Sequence, residues 1–346
     1  MLAAVFHGPN NMEVQKVPFS DSSKATLKVN ACAVCGYDVR VYRNGHRKVS
    51  PPVILGHELC GEIQEDTNLG DSTRLKAGTR VALCPIIPCL ECPYCHAGEY
   101  NLCMNVREIG STLNGGFAQY VTIPHQIVRI GGLVKIPDTL GDEEAALLEP
   151  LACCLNSFSM LSPVANASPV VIIGDGPIAL LHMQLFKKLA GVRVVLVGKV
   201  PARMEKALSM GADAVFQYSD KAVGNVIDFA GARGAAIAVI CASSPDAYEF
   251  AKKVVGKNGK INIFAGMPSG REFTLDANWL HYNQISVLGA FSSTPAMLRE
   301  AANLAAEKII DLSKIVTHQY SLAEIKNAML LTERYDGLRA VINDLF

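Results

Sequence analysis

Two textures of hydrophobic and polar positions divide the chain near Pro150. Before it, short apolar runs at 25–29, 53–55 and 80–83 are separated by Gly, Pro, Asn and Asp, and residues 1–6 form another strand-like run. That punctuation predicts an all-β region with long loops. After it, the run Val170, Val171, Ile172, Ile173 leads through glycines into 177–189, where apolar positions recur at helical spacing. The alternation continues with a strand at 193–197, a helix at 201–210 ended by Gly211, strands at 214–216 and 238–241, a helix at 246–255, and strands at 260–264 and 285–288. Strands alternating with helices predict a parallel, doubly wound sheet. The last fifty residues predict a helix at 297–307, a strand at 315–320, a helix at 322–331 and a strand at 338–342, and their pattern alone does not assign them to a domain.

Composition narrows the classes of function. A chain of 346 residues, 50% hydrophobic and 18% charged, suits two globular domains. Its 32 Lys and Arg balance 32 Asp and Glu, so no basic field favours nucleic acid or a membrane surface, and a small molecule is the expected partner. No apolar run approaches the roughly 18 residues of a membrane span, and the start of the chain lacks a charged leader, so a cytoplasmic protein is expected. Five of the eleven cysteines (Cys84, Cys89, Cys92, Cys95, Cys103) fall within twenty residues of one another. Such clustering reads as metal ligands in a reducing compartment, not as a disulfide framework.

Three motifs carry chemistry. Cys89, Cys92 and Cys95, followed by Cys103, can close a tetrahedral shell around a structural zinc. A ferredoxin-like iron–sulfur cluster is the rival, but its fourth cysteine follows sooner and precedes proline. A second, dispersed set comprises Cys35 with Asp38, His57 with Glu58, and Glu149 before Pro150. A thiolate, an imidazole and carboxylates are the donors of a catalytic zinc that keeps one position open. Read singly, each residue could equally be a buried thiol, a loop histidine or a helix-end charge. The third motif, Gly174, Asp175, Gly176, Pro177, Ile178 and Ala179, joins a strand to a helix. Its glycines allow a tight turn and close approach to a pyrophosphate at the helix N-terminus, so a dinucleotide is expected there.

Together, in this order, the motifs resemble the zinc-dependent medium-chain dehydrogenase family over essentially the whole chain, most closely its polyol (sorbitol-like) and threonine dehydrogenase branch. The resemblance implies an α/β chain: a GroES-like β-barrel catalytic domain over 1–150 and 291–346, and a Rossmann domain over 151–290. It implies Cys35, His57, Glu58 and Glu149 at the catalytic zinc, with Asp38 behind the histidine. Tyr37 stands where the family usually has Ser or Thr as the proton-passing hydroxyl. Barrel residues at 37–46 and the turn at 114–117 are expected to line the substrate pocket. The implied function is hydride transfer between a nicotinamide cofactor and a polyol or its ketone, in a homodimer or homotetramer. Amino-alcohol oxidation, sugar-phosphate reduction, a zinc-free quinone reductase and a non-enzymatic zinc-binding interaction protein are the alternatives.

The cofactor-binding residues expected are Gly174, Gly176, Pro177, Ile178, Gly198, Lys199 and Arg203. NAD enzymes place an acid at the end of the second Rossmann strand, where it holds the ribose 2′-hydroxyl. Gly198 and Lys199 stand there instead, and Lys199 with Arg203 could attract a 2′-phosphate. The pattern therefore favours NADP(H) over NAD(H).

Overall fold

The computed structural model describes residues 1–19, 25–161, 169–267 and 270–346. They form two compact units, one of Met1–Ala152 with Ser292–Phe346 and the other of Cys153–Phe291.

In the first unit, the strand Thr26–Val34 is nearly all buried and pairs with three neighbours, Glu58–Ile63, Tyr120–Thr122 and Arg339–Asp344. The sheet continues through Arg80–Leu83 to Leu133–Lys135 on one side and Val316–Ser321 on the other. The C-terminal strands are thus part of this unit's sheet. Leu27, Val29, Cys32, Leu59, Leu83, Phe117 and Ile342 pack its core. The region read as strands and loops also holds a helix, Gly36–Asn44. Its Val, Tyr and Arg alternation hides helical spacing, but the Asp38 carboxylate accepts from the Cys35 backbone N–H and Gly45 closes the other end, and these caps select the helix. The helix expected at 322–331 begins as a 3₁₀ turn, Leu322–Glu324, and continues as Ile325–Arg334.

The second unit carries a six-stranded, all-parallel sheet in the order Ala214–Gln217, Val194–Gly198, Val170–Ile173, Ala235–Ile240, Val255–Ile263, Ser286–Gly289. Val170–Ile173 and Val194–Gly198 are buried at every position, as continuous β-branched runs between helices should be. The pattern missed the helix Asp220–Ala230, whose interior glycine and asparagine weaken its apolar stripe. It also started the strand Val255–Ile263 five residues late, because Gly256, Lys257, Asn258 and Gly259 interrupt the apolar run. No helix among the described residues is long and apolar enough to cross a membrane.

His182 lies fully buried on the helix Pro177–Leu189, with Nδ1 3.0 Å from the Ile178 carbonyl and no partner for Nε2. Burial pushes its pKa down to about 4. Above about pH 6.5 both folded and unfolded chains hold a neutral imidazole; below it the unfolded chain takes up a proton that the folded chain refuses until about 4. Stability should therefore fall through this window, by up to about 3 kcal/mol at its acid end. His182→Leu should lose less stability than the wild type between pH 7 and 4 in denaturant titrations. Parallel losses in the two proteins would show that His182 is not held neutral.

Candidate active site and metal centres

The chain leaves the strand Thr26–Val34 at Cys35, whose extended backbone caps the helix Gly36–Asn44. Asp38, in the first turn and wholly buried, accepts from the Cys35 N–H at 3.0 Å through Oδ2 and from the Gly56 N–H at 3.3 Å through Oδ1. Its Oδ1 also lies 3.8 Å from His57 Nδ1. Gly56 has φ of 92°, and a Cβ there would sit 2.7 Å from Cys32 Sγ. Only glycine turns the chain at this point. The backbone at 54–56 is clamped from the other side by the N–H groups of Gly115, Gly116 and Phe117 and by the Asn114 side chain. Within the turn at 114–117, Phe117 is core, and the turn's N–H groups set where His57 begins.

Those constraints bring Cys35 Sγ within 3.5 Å of His57 Nε2. Cys35, Asp38 and His57 form one cluster whose donor atoms lie within 4.8 Å of one another, and His57, Glu58 and Glu149 form a second. Burial pushes the Cys35 thiol up to about 11. Burial opposes protonation of His57 as well, but Cys35 and Asp38 outweigh it and raise the imidazole well above its usual range. Burial likewise raises Glu58 to about 7 against the pull of Arg339, which lies 3.3 Å away. Glu58 Oε2 is buried without a hydrogen-bond partner. An orphaned carboxylate oxygen, facing the same histidine as a thiol and a second carboxylate, suits a divalent cation.

Tyr37 has its ring edge-on to both His57 and His46 and its hydroxyl 2.8 Å from Ser111 Oγ. It therefore stands beside the cluster on a helix, where a loop was expected. Ser111, itself buried, carried no signal in the sequence. Arg339 could have been suspected as a lone charge in the apolar run 338–342.

The four clustered cysteines converge around the short helix Pro93–His96, all within 4.8 Å of one another. The distances Cys92 Sγ to Cys95 Sγ, 3.5 Å, and Cys89 Sγ to Cys95 Sγ, 3.9 Å, bracket the spacing of about 3.8 Å that bonds of about 2.3 Å to a tetrahedral zinc would give. The Met104 N–H holds the Cys92 thiol down, to about 6, and N–H groups of Glu91 and Cys92 lower Cys89. These backbone donors favour thiolates at Cys89 and Cys92, whereas burial raises Cys95. None of the eleven cysteines forms a disulfide.

At the glycine turn, Gly174 and Gly176 flank Asp175, and Pro177 and Ile178 start the helix Pro177–Leu189. Gly198, Lys199 and Arg203 are brought to the same place, but differently from expectation. Arg203 is buried, with Nη1 3.7 Å from Asp175 Oδ1. Asp175 Oδ2 accepts from the N–H groups of Lys199 and Val200 at 2.6 and 2.7 Å. A Cβ on Gly198 would lie 2.7 Å from the Asp175 side chain. Gly198 is therefore a glycine because Asp175 packs on it, and Arg203 is not held out to solvent awaiting a phosphate. The Asp175 carboxylate of the turn therefore lies at the end of the neighbouring strand. The expectation overlooked Asp175 because it lies between the glycines.

Comparison with known proteins agrees with both halves of this description. Residues 21–138 match the alcohol dehydrogenase GroES-like domain family, and residues 177–307 match the zinc-binding dehydrogenase family. The chain is similar to a sorbitol dehydrogenase of Bacillus subtilis (strain 168), 32% identical over 95% of this chain and 92% of that one. It is also similar to a D-arabitol-phosphate dehydrogenase of Enterococcus avium, 28% identical over 90% and 87% of the two chains. A Sinorhizobium meliloti 1021 protein solved with NADP bound shares 30% identity and superposes with a TM-score of 0.86, over 99% of this chain and 98% of that one. By its sequence, its fold and the breadth of these matches, the chain belongs to the zinc-dependent medium-chain dehydrogenase family, in its polyol dehydrogenase branch.

Proposed function

We propose that this enzyme transfers a hydride between a nicotinamide dinucleotide and a polyol, a sugar alcohol or the corresponding ketone. The observation that carries the reading is the second donor set, Cys35, His57, Glu58 and Glu149, beside the closed four-cysteine set. The first would hold a catalytic zinc, and Cys89, Cys92, Cys95 and Cys103 a structural one. When bound, the zinc supplies Lewis acidity toward a substrate oxygen, and the nicotinamide ring accepts or gives the hydride. Asp38, with Oδ1 3.8 Å from His57 Nδ1, stands behind the ring where carboxylates orient ligand histidines. Arg339 anchors Glu58 from the strand Arg339–Asp344. Oxidising an alcohol also releases a proton, and the hydroxyl pair of Tyr37 and Ser111 beside His57 can pass it on. Burial raises the Tyr37 phenol, so it works as a protonated relay and not as a base.

The names of the sorbitol and D-arabitol-phosphate dehydrogenase relatives support a polyhydroxylated substrate. Thiols without disulfides support a cytoplasmic setting. A homodimer or homotetramer would use the outer edge of the strand Ser286–Gly289, which ends the parallel sheet.

Cys35→Ser should leave a folded protein whose kcat/KM drops more than about 100-fold, beyond the 10–100-fold typical of changes behind the ligands. Cys92→Ser should instead lower the melting temperature and the soluble yield, because a closed zinc site is tied to folding. Full alcohol oxidation by Cys35→Ser would remove the catalytic assignment. In a substrate screen, polyols, sugars and their ketones should exceed ethanol and butanol in kcat/KM, since buried polar groups reject analogues that lack matching hydroxyls. A simple primary alcohol ranking first would contradict the polyol reading.

A further inference from the structure

We infer that Asp175 occupies the anion site that a ribose 2′-phosphate would need, and so turns the enzyme toward NAD(H). The inference rests on the dinucleotide reading of the glycine turn. At the end of the strand Val194–Gly198, three groups could receive a phosphate: the N–H groups of Lys199 and Val200, which open the helix Pro201–Ser209, and the Arg203 guanidinium. All three face the Asp175 carboxylate, the N–H groups at 2.6 and 2.7 Å and the guanidinium at 3.7 Å. The carboxylate lies flat on Gly198, too close for a side chain there. Lys199 turns its ammonium toward the Tyr218 ring, 5.1 Å from the centroid.

The chemistry of the two cofactors separates at this point. A ribose 2′-hydroxyl has a proton to donate and needs an acceptor, which a carboxylate at the strand end provides. A 2′-phosphate brings a charge of like sign and needs the very donors that Asp175 already holds. It must displace the carboxylate or lie beside it. In the family pattern the discriminating acid belongs to the strand end; here the middle residue of the glycine turn reaches that place from the neighbouring strand, which is why Gly198 offers none.

The experiment is a titration of the full-length protein with NADH and NADPH, followed by nicotinamide fluorescence, for the wild type, Asp175→Asn and Asp175→Ser, with melting temperatures as the check on folding. The wild type should bind NADH more tightly than NADPH, and both variants should shift the ratio of dissociation constants toward NADPH by tenfold or more. An unchanged ratio in a folded variant, or a wild type that binds NADPH more tightly, would overturn the inference and leave the dinucleotide reading standing. Absence of binding for both cofactors in the wild type would remove that reading, and the inference with it. The wild-type ratio needs no substitution, so the test survives a variant that does not fold.

Discussion

A carboxylate buried without access to water is tolerated only where donors replace the solvent, and the Asp38 side chain meets that condition by tying residues 35–38 to residues 56–57. Its oxygens take the N–H of Cys35 and the N–H of Gly56 and approach His57. The helix Gly36–Asn44 starts where it does, and the thiol and imidazole face one another, because one short side chain spans these points. The rest of the donor cluster builds on that arrangement. Glu58 follows His57 into the sheet and meets Arg339, and Glu149 enters from the first turn of the helix Leu148–Leu161.

The second unit uses the same device. Asp175 takes the N–H groups of Lys199 and Val200 across neighbouring strands, and Asp213 takes the N–H of Val194 while pairing with Lys187. Aspartate suits this work because its carboxylate stays within reach of nearby backbone and loses little rotamer freedom when fixed. At Asp38 the clamp positions a thiol and an imidazole; at Asp175 it engages the N–H groups of Lys199 and Val200 and faces the Arg203 guanidinium. One interaction thus shapes both places where chemistry is expected, and the consequences differ with what else converges there.

Much of this was legible in the residues. Periodicity revealed the parallel sheet, since Val170–Ile173 and Val194–Gly198 are unbroken apolar runs that only a doubly covered sheet produces. The four cysteines, Cys35, His57, Glu58 and Glu149 stood out by residue type, and the folded chain brings each set together. What stayed hidden depended on tertiary contact. The helix at Gly36–Asn44 is selected by a cap, not by its apolar spacing. Ser111 and Arg339 join the site across long sequence separations, 74 residues to Tyr37 in the first case. Asp175 was the least legible, because its carboxylate reaches the end of the neighbouring strand only through the folded turn.

The central claim is that the chain carries two unlike zinc sites, one closed by sulfur and one of mixed donors. Zinc K-edge absorption of the purified protein, with its metal content, tests this directly. The account predicts two zinc ions per chain and two shells, sulfur near 2.3 Å and nitrogen or oxygen near 2.0 Å, in a ratio of about five to three from the protein ligands. One zinc with a shell of sulfur alone, or protein without zinc, would contradict it.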